Sequence, residues 1–89
     1  MEAALSLLKI DIGISHTHRD EYFTSLLNGC NKELSDKGVS LDLDSAEDLM
    51  LLVDYSAWRY RKRMEDLSLP QNLRIRIINA KTRRRAADA

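Results

Sequence analysis

The chain has 89 residues, of which 44% are hydrophobic and 31% are charged, and its formal net charge is zero. This length allows one small domain, and the composition is that of a globular protein rather than a disordered segment. No apolar run approaches the roughly 18 residues of a membrane-spanning helix, and residues 1–5 lack the features of a secretory signal. We therefore expect no membrane partner. The single cysteine, Cys30, excludes an internal disulfide and fits a reducing cytoplasm.

The zero net charge hides a division along the chain. Residues 1–57 hold 11 acidic and 4 basic side chains, a net charge of −7, whereas residues 58–89 hold 10 basic and 3 acidic side chains, a net charge of +7. Three arrangements use this division: the basic half binds nucleic acid, it meets the acidic half of a neighbouring copy, or the two halves neutralise each other within a monomer. A head-to-tail contact between copies would repeat around a ring or along a filament.

Two helices are predicted before residue 40. A short helix over Ala3–Lys9 offers leucines to a core and is broken by the turn that contains Gly13. A second helix, from about residue 17 to Lys37, places five apolar residues on one face, and Gly38 follows it as a C-cap residue should. Those five residues are Phe23, Leu26, Leu27, Cys30 and Leu34.

The third predicted helix, from Ala46 to about Glu65, carries apolar residues on two opposite faces. An extended connector over residues 39–43 precedes it, and Ser45 with Asp48 resembles a helix-starting capping box. One stripe consists of Leu49, Val53, Ser56, Ala57, Tyr60 and Met64, and the opposite stripe consists of Leu51, Tyr55 and Trp58. The second stripe predicts either a helix at the centre of the domain or a contact with a partner, for which tyrosine and tryptophan are favoured residues.

The last segment predicts a fourth helix followed by a basic tail. Ser68 resembles a cap, with Pro70 in the first turn and Gln71 three residues after the cap. The alternation of residues 73–77 also fits a strand, but the cap favours a helix whose apolar face is Leu73, Ile77 and Ala80. We expect residues 81–89 to form a frayed or disordered tail. The fold class is therefore all-α, with three to four helices in one domain and a basic C-terminal helix or arm.

Residue types that carry enzyme chemistry or bind metals are sparse. Three glycines are too few for a glycine-rich phosphate loop, and Cys30 lies on an apolar helix face where a buried thiol is expected. His16 and His18 alone do not complete a zinc site. Four carboxylates lack the glycine and the terminal glutamate of a calcium loop, so capping and solubility explain them. These carboxylates are Asp42, Asp44, Glu47 and Asp48. We expect no enzymatic activity, no metal and no cofactor.

Basic residues cluster in the segments 59–63, 74–76 and 81–85. Arginine-rich helices bind phosphate backbones with an affinity that falls steeply with salt. Phosphate contacts need a one-sided basic surface, however, and Arg59, Arg61 and Arg63 point in different directions around their helix. A small nucleic-acid-binding regulatory protein is therefore one alternative hypothesis, and a partner-binding subunit of the toxin–antitoxin kind is another.

Six segments in a fixed order match a known family. They are Leu7–Ile14, Arg19–Tyr22, Glu33–Leu34, Lys37–Val39, Leu52–Arg63 and Leu69–Leu73. Over nearly its whole length, the chain resembles the small head-to-tail connector (adaptor) proteins of tailed bacteriophages and prophages. The resemblance rests on pattern and order rather than on a catalytic motif. The chain departs from the family in its short C-terminal end.

The resemblance implies a single all-helical domain over residues 1–89, without enzymatic activity or cofactor. Its members assemble as a ring, here expected to be a dodecamer, beneath the phage portal protein. Such a ring extends the channel through which DNA passes and docks the stopper or tail-completion protein. The expected location is the virion neck, reached by assembly in the cytoplasm of the bacterial host.

Wheel position and charge predict two sets of contact residues for such a ring. The predicted subunit interface consists of Leu51, Tyr55, Trp58, Arg61 and Lys62, met by Asp42, Asp44, Glu47 and Asp48 of a neighbour. The predicted portal contacts are Arg74, Arg76, Arg83, Arg84 and Arg85.

Overall fold

Every segment of regular structure that the computed structural model describes is helical. It describes residues 1–64 and 68–88, with side chains up to residue 62 and from 68 to 83. The helices are α1 (Glu2–Ile12), α2 (Asp20–Asp36), α3 (Ala46–Met64) and α4 (Gln71–Asp88). The predicted all-α fold is confirmed, as is a helix rather than a strand over residues 73–77. None of these described helices has both the length and the apolarity to cross a bilayer.

Glycines with positive φ follow the first two helices. Gly13 has φ 78° and ψ 32°, and its N–H donates to the Ile10 carbonyl at 3.3 Å. Gly38 has φ 89°, and its N–H donates to the Ser35 carbonyl at 2.9 Å. Glycine adopts this left-handed conformation without the steric cost that a Cβ imposes. The prediction that a glycine ends each of these helices is therefore confirmed, although α1 continues three residues beyond Lys9.

The predicted apolar face of α2 is the buried face. Four of its five residues, Phe23, Leu27, Cys30 and Leu34, are each at most 2% exposed, and Leu26 is partly buried against the core. The helix begins at Asp20, about three residues later than predicted, because the preceding residues form a turn in which the Asp20 N–H donates to the Thr17 carbonyl.

Helix α3 lies at the centre of the domain. Among the described helices it packs against the other three, whereas α4 packs against α3 alone. Six residues in its middle are at most 2% exposed, and they cover both predicted stripes. They are Leu51, Leu52, Val53, Tyr55, Ser56 and Ala57.

The second apolar stripe of α3 is therefore part of the chain's own core. Leu51 is 2% exposed and Tyr55 is 1% exposed, and Trp58 is half-buried against the same core. Of the two explanations that the stripe allowed, the central helix is correct. The assignment of Leu51 and Tyr55 to a subunit interface was wrong, because neither presents surface to a second copy.

Helix α4 differs from the prediction at both ends. It begins at Gln71, where the Arg74 N–H donates to the Pro70 carbonyl at 3.0 Å. Ser68 is therefore not its cap, and the carbonyl of Ser68 instead accepts the indole N–H of Trp58 at 3.1 Å. The helix includes residues up to Asp88, where a frayed tail was predicted from residue 81. Alanine and arginine, the main residues of this last part, both favour helices.

Two glycines offer a matched test of this backbone. A Cβ added at Gly38 would meet positive φ and would lie 3.3 Å from Cε of Lys81, whereas a Cβ at Gly29 in α2 would meet nothing within 4 Å. We expect Gly38→Ala to lower the free energy of unfolding by about 1–2 kcal/mol. We expect Gly29→Ala to raise it by about 0.5–1 kcal/mol. Urea unfolding measures both, and changes of the same sign would contradict the assignment.

Candidate functional site

Ion pairs join the basic half of the chain to its acidic half. Four arginines after residue 57 contact carboxylates before it, all within one monomer. The pairs are Arg59–Glu33 at 3.5 Å, Arg61–Asp11 at 3.1 Å, Arg76–Asp54 at 2.7 Å, Arg83–Glu47 at 2.8 Å and Arg83–Asp48 at 2.9 Å. The charges of these four arginines are thus neutralised within the monomer. This is one of the three arrangements that the sequence allowed.

The Asp48 carboxylate connects three parts of the chain. It is 8% exposed and accepts the Asp42 N–H at 2.9 Å and the Arg83 guanidinium at 2.9 Å. The predicted capping box is wrong, because the Ser45 N–H donates to the Asp42 carbonyl and the Asp48 side chain turns to other partners. Asp48 and Glu47 both pair with Arg83 of their own chain; Asp48 is buried, whereas the Glu47 side chain stays exposed.

Asp42 and Asp44 remain at the surface in the turn before α3. The Asp44 N–H donates to the Asp42 carboxylate at 3.0 Å, which fixes the turn. Both residues are exposed, and neither carboxylate pairs with a cation in the part of the chain that the structure describes. Among the described side chains, no group of three or more potential ligands could hold a metal ion.

The predicted portal contacts fall into three groups. Arg76 and Arg83 pair with carboxylates of their own chain, Asp54 and Asp48, and both side chains stay partly exposed. Arg74 is exposed and has no ion pair among the described residues. The side chains of Arg84 and Arg85 lie outside the described residues.

The outer face of α4 carries a feature that the sequence analysis missed. Ile75 is 47% exposed and Ile78 is 55% exposed, and both lie on the side of the helix away from buried Leu73 and Ala80. Their spacing of three residues places them together, and Arg74 flanks them. The helical spacing could have predicted this face, because Ile75 and Ile78 do not fall on the same side as Leu73, Ile77 and Ala80. We call Arg74, Ile75 and Ile78 the outer α4 face.

A pocket of about 380 Å³ opens between the end of α1, the C-terminal half of α3 and the start of α4. Trp58, Ala57, Pro70 and Leu73 supply its apolar walls, and Asn72 lies beside them. Its charged lining consists of the two pairs Arg61–Asp11 and Arg76–Asp54. We call it the Trp58 pocket. Trp58 and Arg61, two residues of the predicted interface, thus lie together in this pocket, and Arg76 lines it as well. Lys62 is exposed, and its Nζ lies 5.1 Å from the centroid of the Trp58 ring.

A polar cluster links α2 to α3 through Glu33 of α2 and Tyr55 and Arg59 of α3. The Tyr55 hydroxyl donates to Glu33, whose carboxylate also lies 3.5 Å from Arg59 and 3.9 Å from Lys37. Burial, helped by the Glu33 hydrogen bond, raises the pKa of Tyr55. The neutral hydroxyl is therefore the form that the fold retains.

The predicted structural role of Cys30 is confirmed. The residue is 2% exposed, and burial raises the pKa of its thiol. Because the thiolate is the reactive form, a raised pKa and burial both make this cysteine inert. His16 and His18 are exposed, with ring centroids 5.1 Å apart.

Comparison with known proteins assigns no family to this chain. None of the protein-family models, curated proteins or solved structures matches it. The resemblance to phage adaptors therefore stays a prediction.

Removal of the Tyr55 hydroxyl tests the polar cluster. Tyr55→Phe leaves the ring in the core but takes a donor from the Glu33 carboxylate, so we expect a loss of about 1.5–3 kcal/mol in the free energy of unfolding. Tyr60→Phe is the control, since the Tyr60 hydroxyl has no hydrogen bond among the described residues. Equal stability of Tyr55→Phe and the wild type in urea unfolding would contradict the role of the hydroxyl.

The pH dependence of stability gives a second measurement of Tyr55. The unfolded chain loses the tyrosine proton near pH 10, about the ordinary pKa, whereas the folded chain holds it to higher pH. The resulting stabilisation is fully present below about pH 10 and is lost as the pH rises towards the folded pKa. We expect the stability difference between wild type and Tyr55→Phe to shrink above about pH 10. A difference that stays constant to higher pH would contradict the raised pKa.

Asp48 and Asp44 form a matched pair for the charge contacts. Asp48→Ala leaves the Asp42 N–H without its acceptor and Arg83 with one carboxylate fewer, so we expect a loss of about 1–3 kcal/mol. Asp44→Ala removes an exposed carboxylate without an ion pair, and we expect a change within about 0.5 kcal/mol. Thermal or urea unfolding measures both variants. Similar losses from the two substitutions would refute the connecting role of Asp48.

Proposed function

We propose that this chain is a structural subunit of the head-to-tail connector of a tailed phage or prophage. Copies of it form a ring under the portal protein, extend the DNA channel and dock the stopper or tail-completion protein. The subunit acts by binding protein neighbours and has no catalytic role or cofactor. It works at the virion neck, after assembly in the cytoplasm of the host.

The observation that carries this proposal is the outer α4 face. Large apolar side chains exposed together on a small domain are typical of protein interaction sites. Ile75 and Ile78 lie on a helix whose opposite side is already buried, and they stay 47% and 55% exposed outside the apolar core. The all-α fold also agrees with what the family resemblance implies.

The outer α4 face is the surface that we assign to the portal protein. Arg74 lies beside the two isoleucines and has no internal ion pair among the described residues. Apolar residues with arginine at the edge are a composition typical of protein interfaces. Within the described side chains, Arg74 is thus the member of the predicted portal set that has no ion pair in the monomer.

The ion pairs weigh against the nucleic-acid alternative. Phosphate binding needs several free cations on one side of the molecule. Arg59, Arg61, Arg76 and Arg83 each bind a carboxylate of their own chain. A DNA-binding role would have to share these arginines between phosphates and their present carboxylates, whereas a protein contact through the outer α4 face does not involve these ion pairs.

Imaging tests ring formation directly. We expect negative-stain electron microscopy of the purified protein, at high concentration and low salt or bound to its portal protein, to show closed rings with a hole wide enough for duplex DNA. Small monodisperse particles under both conditions would refute the connector function. A DNA-binding titration with a steep salt dependence would then favour the regulatory protein.

A matched pair of variants tests the portal contact. We expect Ile78→Ser to weaken binding to the portal protein about tenfold, because it removes a large apolar side chain from the contact. Asn79→Ser changes an exposed neighbour on the same helix and should bind like the wild type. Co-sedimentation with portal rings measures both. Unchanged binding by Ile78→Ser would exclude the outer α4 face as the portal contact.

A further inference from the structure

We propose that the Trp58 pocket binds the Asp42–Asp44 turn of a second copy of this chain. The inference rests on the proposed ring and names the contact between its neighbouring subunits. It also revises the predicted interface, since Glu47 and Asp48 bind Arg83 within the monomer and Leu51 and Tyr55 are buried. What remains is one acidic turn and one pocket with two arginines.

The pocket has unused hydrogen-bond donors. Arg61 uses Nη2 for both of its contacts, at 3.1 Å from the Asp11 carboxylate and 3.1 Å from the Asp11 carbonyl. Arg76 uses Nη1 for Asp54 at 2.7 Å. A guanidinium carries five N–H donors in a planar fork, so each arginine keeps donors for a second acceptor. A carboxylate is planar and can accept two parallel N–H···O hydrogen bonds from such a guanidinium.

The charges of the pocket favour a carboxylate over a nucleic acid. Asp11 and Asp54 balance Arg61 and Arg76, so a row of phosphates would meet repulsion as well as attraction. A single turn brings only its two carboxylates to the pocket, and these can accept the remaining N–H donors of the two arginines. The half-buried Trp58 wall gives such a contact an environment partly shielded from water, where a charged hydrogen bond is stronger.

The acidic turn is already arranged for binding. The Asp42 N–H is held by Asp48 and the Asp44 N–H is held by the Asp42 carboxylate. A turn fixed in this way loses little conformational entropy when it is bound. Both carboxylates are exposed and without a cation partner among the described residues. They are therefore complementary to an arginine pocket elsewhere.

The two surfaces cannot meet within one monomer. The turn lies before α3, whereas Trp58 and Arg61 lie in the last two turns of that helix. The 14 residues from Asp44 to Trp58 correspond to roughly 20 Å along a helix axis. Two different surfaces at opposite ends of a rigid element produce a head-to-tail contact, which repeats from copy to copy.

The only tryptophan in the sequence lies in the pocket, which provides a fluorescent probe. Wild-type protein, held at a concentration where it is monomeric by sedimentation, is titrated with a full-length Trp58→Phe variant that lacks tryptophan. We expect a saturating change in Trp58 emission as the turn of the added protein enters the pocket. Circular dichroism of each titrant checks that it is folded.

Two further titrants decide which residues are bound. Trp58→Phe with Asp42→Asn and Asp44→Asn keeps the hydrogen-bond acceptors of the turn but loses both charges, and we expect at least tenfold weaker binding. Trp58→Phe with Glu2→Gln and Glu21→Gln changes two other exposed acidic residues and should bind like the first titrant. Equal binding by all three, or no change in emission with any, would overturn the proposal.

Imaging of the Asp42→Asn, Asp44→Asn protein separates this inference from the proposed function. Rings that form equally well with and without these substitutions, at the same protein concentration, would overturn the pocket contact and leave the connector function standing. Emission changes in the expected order without closed rings would support the pocket contact and count against the ring.

Discussion

The burial of both apolar stripes of α3 in its middle turns is the constraint on which the rest of the structure depends. A domain of 89 residues has little apolar surface to bury, and here one helix provides a shared wall for three others. Each large side chain buried on it contributes about 1.5–3 kcal/mol, so a second apolar stripe is a substantial gain for a small core. Tyr55 lies in this buried middle part: the residue is 1% exposed, and its hydroxyl donates to Glu33 of α2.

The pairing of charges follows from the direction in which α4 packs. Arg76 meets Asp54 and Arg83 meets Asp48, so the residue numbers of α4 rise as those of α3 fall and the two helices are antiparallel. Because α4 runs back along α3, its arginines lie beside the carboxylates of the acidic half. Partly exposed ion pairs of this kind contribute about 0–1 kcal/mol each, and Leu73 with its buried neighbours supplies the apolar part of the contact. Four of the ten basic residues after residue 57 are thus paired with carboxylates of the acidic half within one folded monomer.

Periodicity in the sequence predicted which faces are buried but not what covers them. The apolar spacing of α2 and the positive-φ glycine Gly38 are local signals, and both predictions were confirmed. The partner of the α3 stripe depends on tertiary packing, which spacing does not encode. The capping box failed for the same reason, since Asp48 binds Arg83 from 35 residues away. The Trp58 pocket combines residues of three helices, so no sequence window contains it. The proposed ring depends on contacts between chains; the charge division allowed such a contact, and the family resemblance predicted it.

Internal neutralisation leaves the monomer with surfaces of unlike chemistry. The Asp42–Asp44 turn is acidic and lies before α3, whereas the outer α4 face pairs Ile75 and Ile78 with a cation. A symmetric dimer needs a single patch that matches itself, and two aspartates placed against their own copies would repel. Unlike surfaces suit a protein that binds a copy of itself on one side and a different protein on another. A subunit of a ring that joins two larger structures has this requirement, because it contacts neighbours within the ring and partners along its axis.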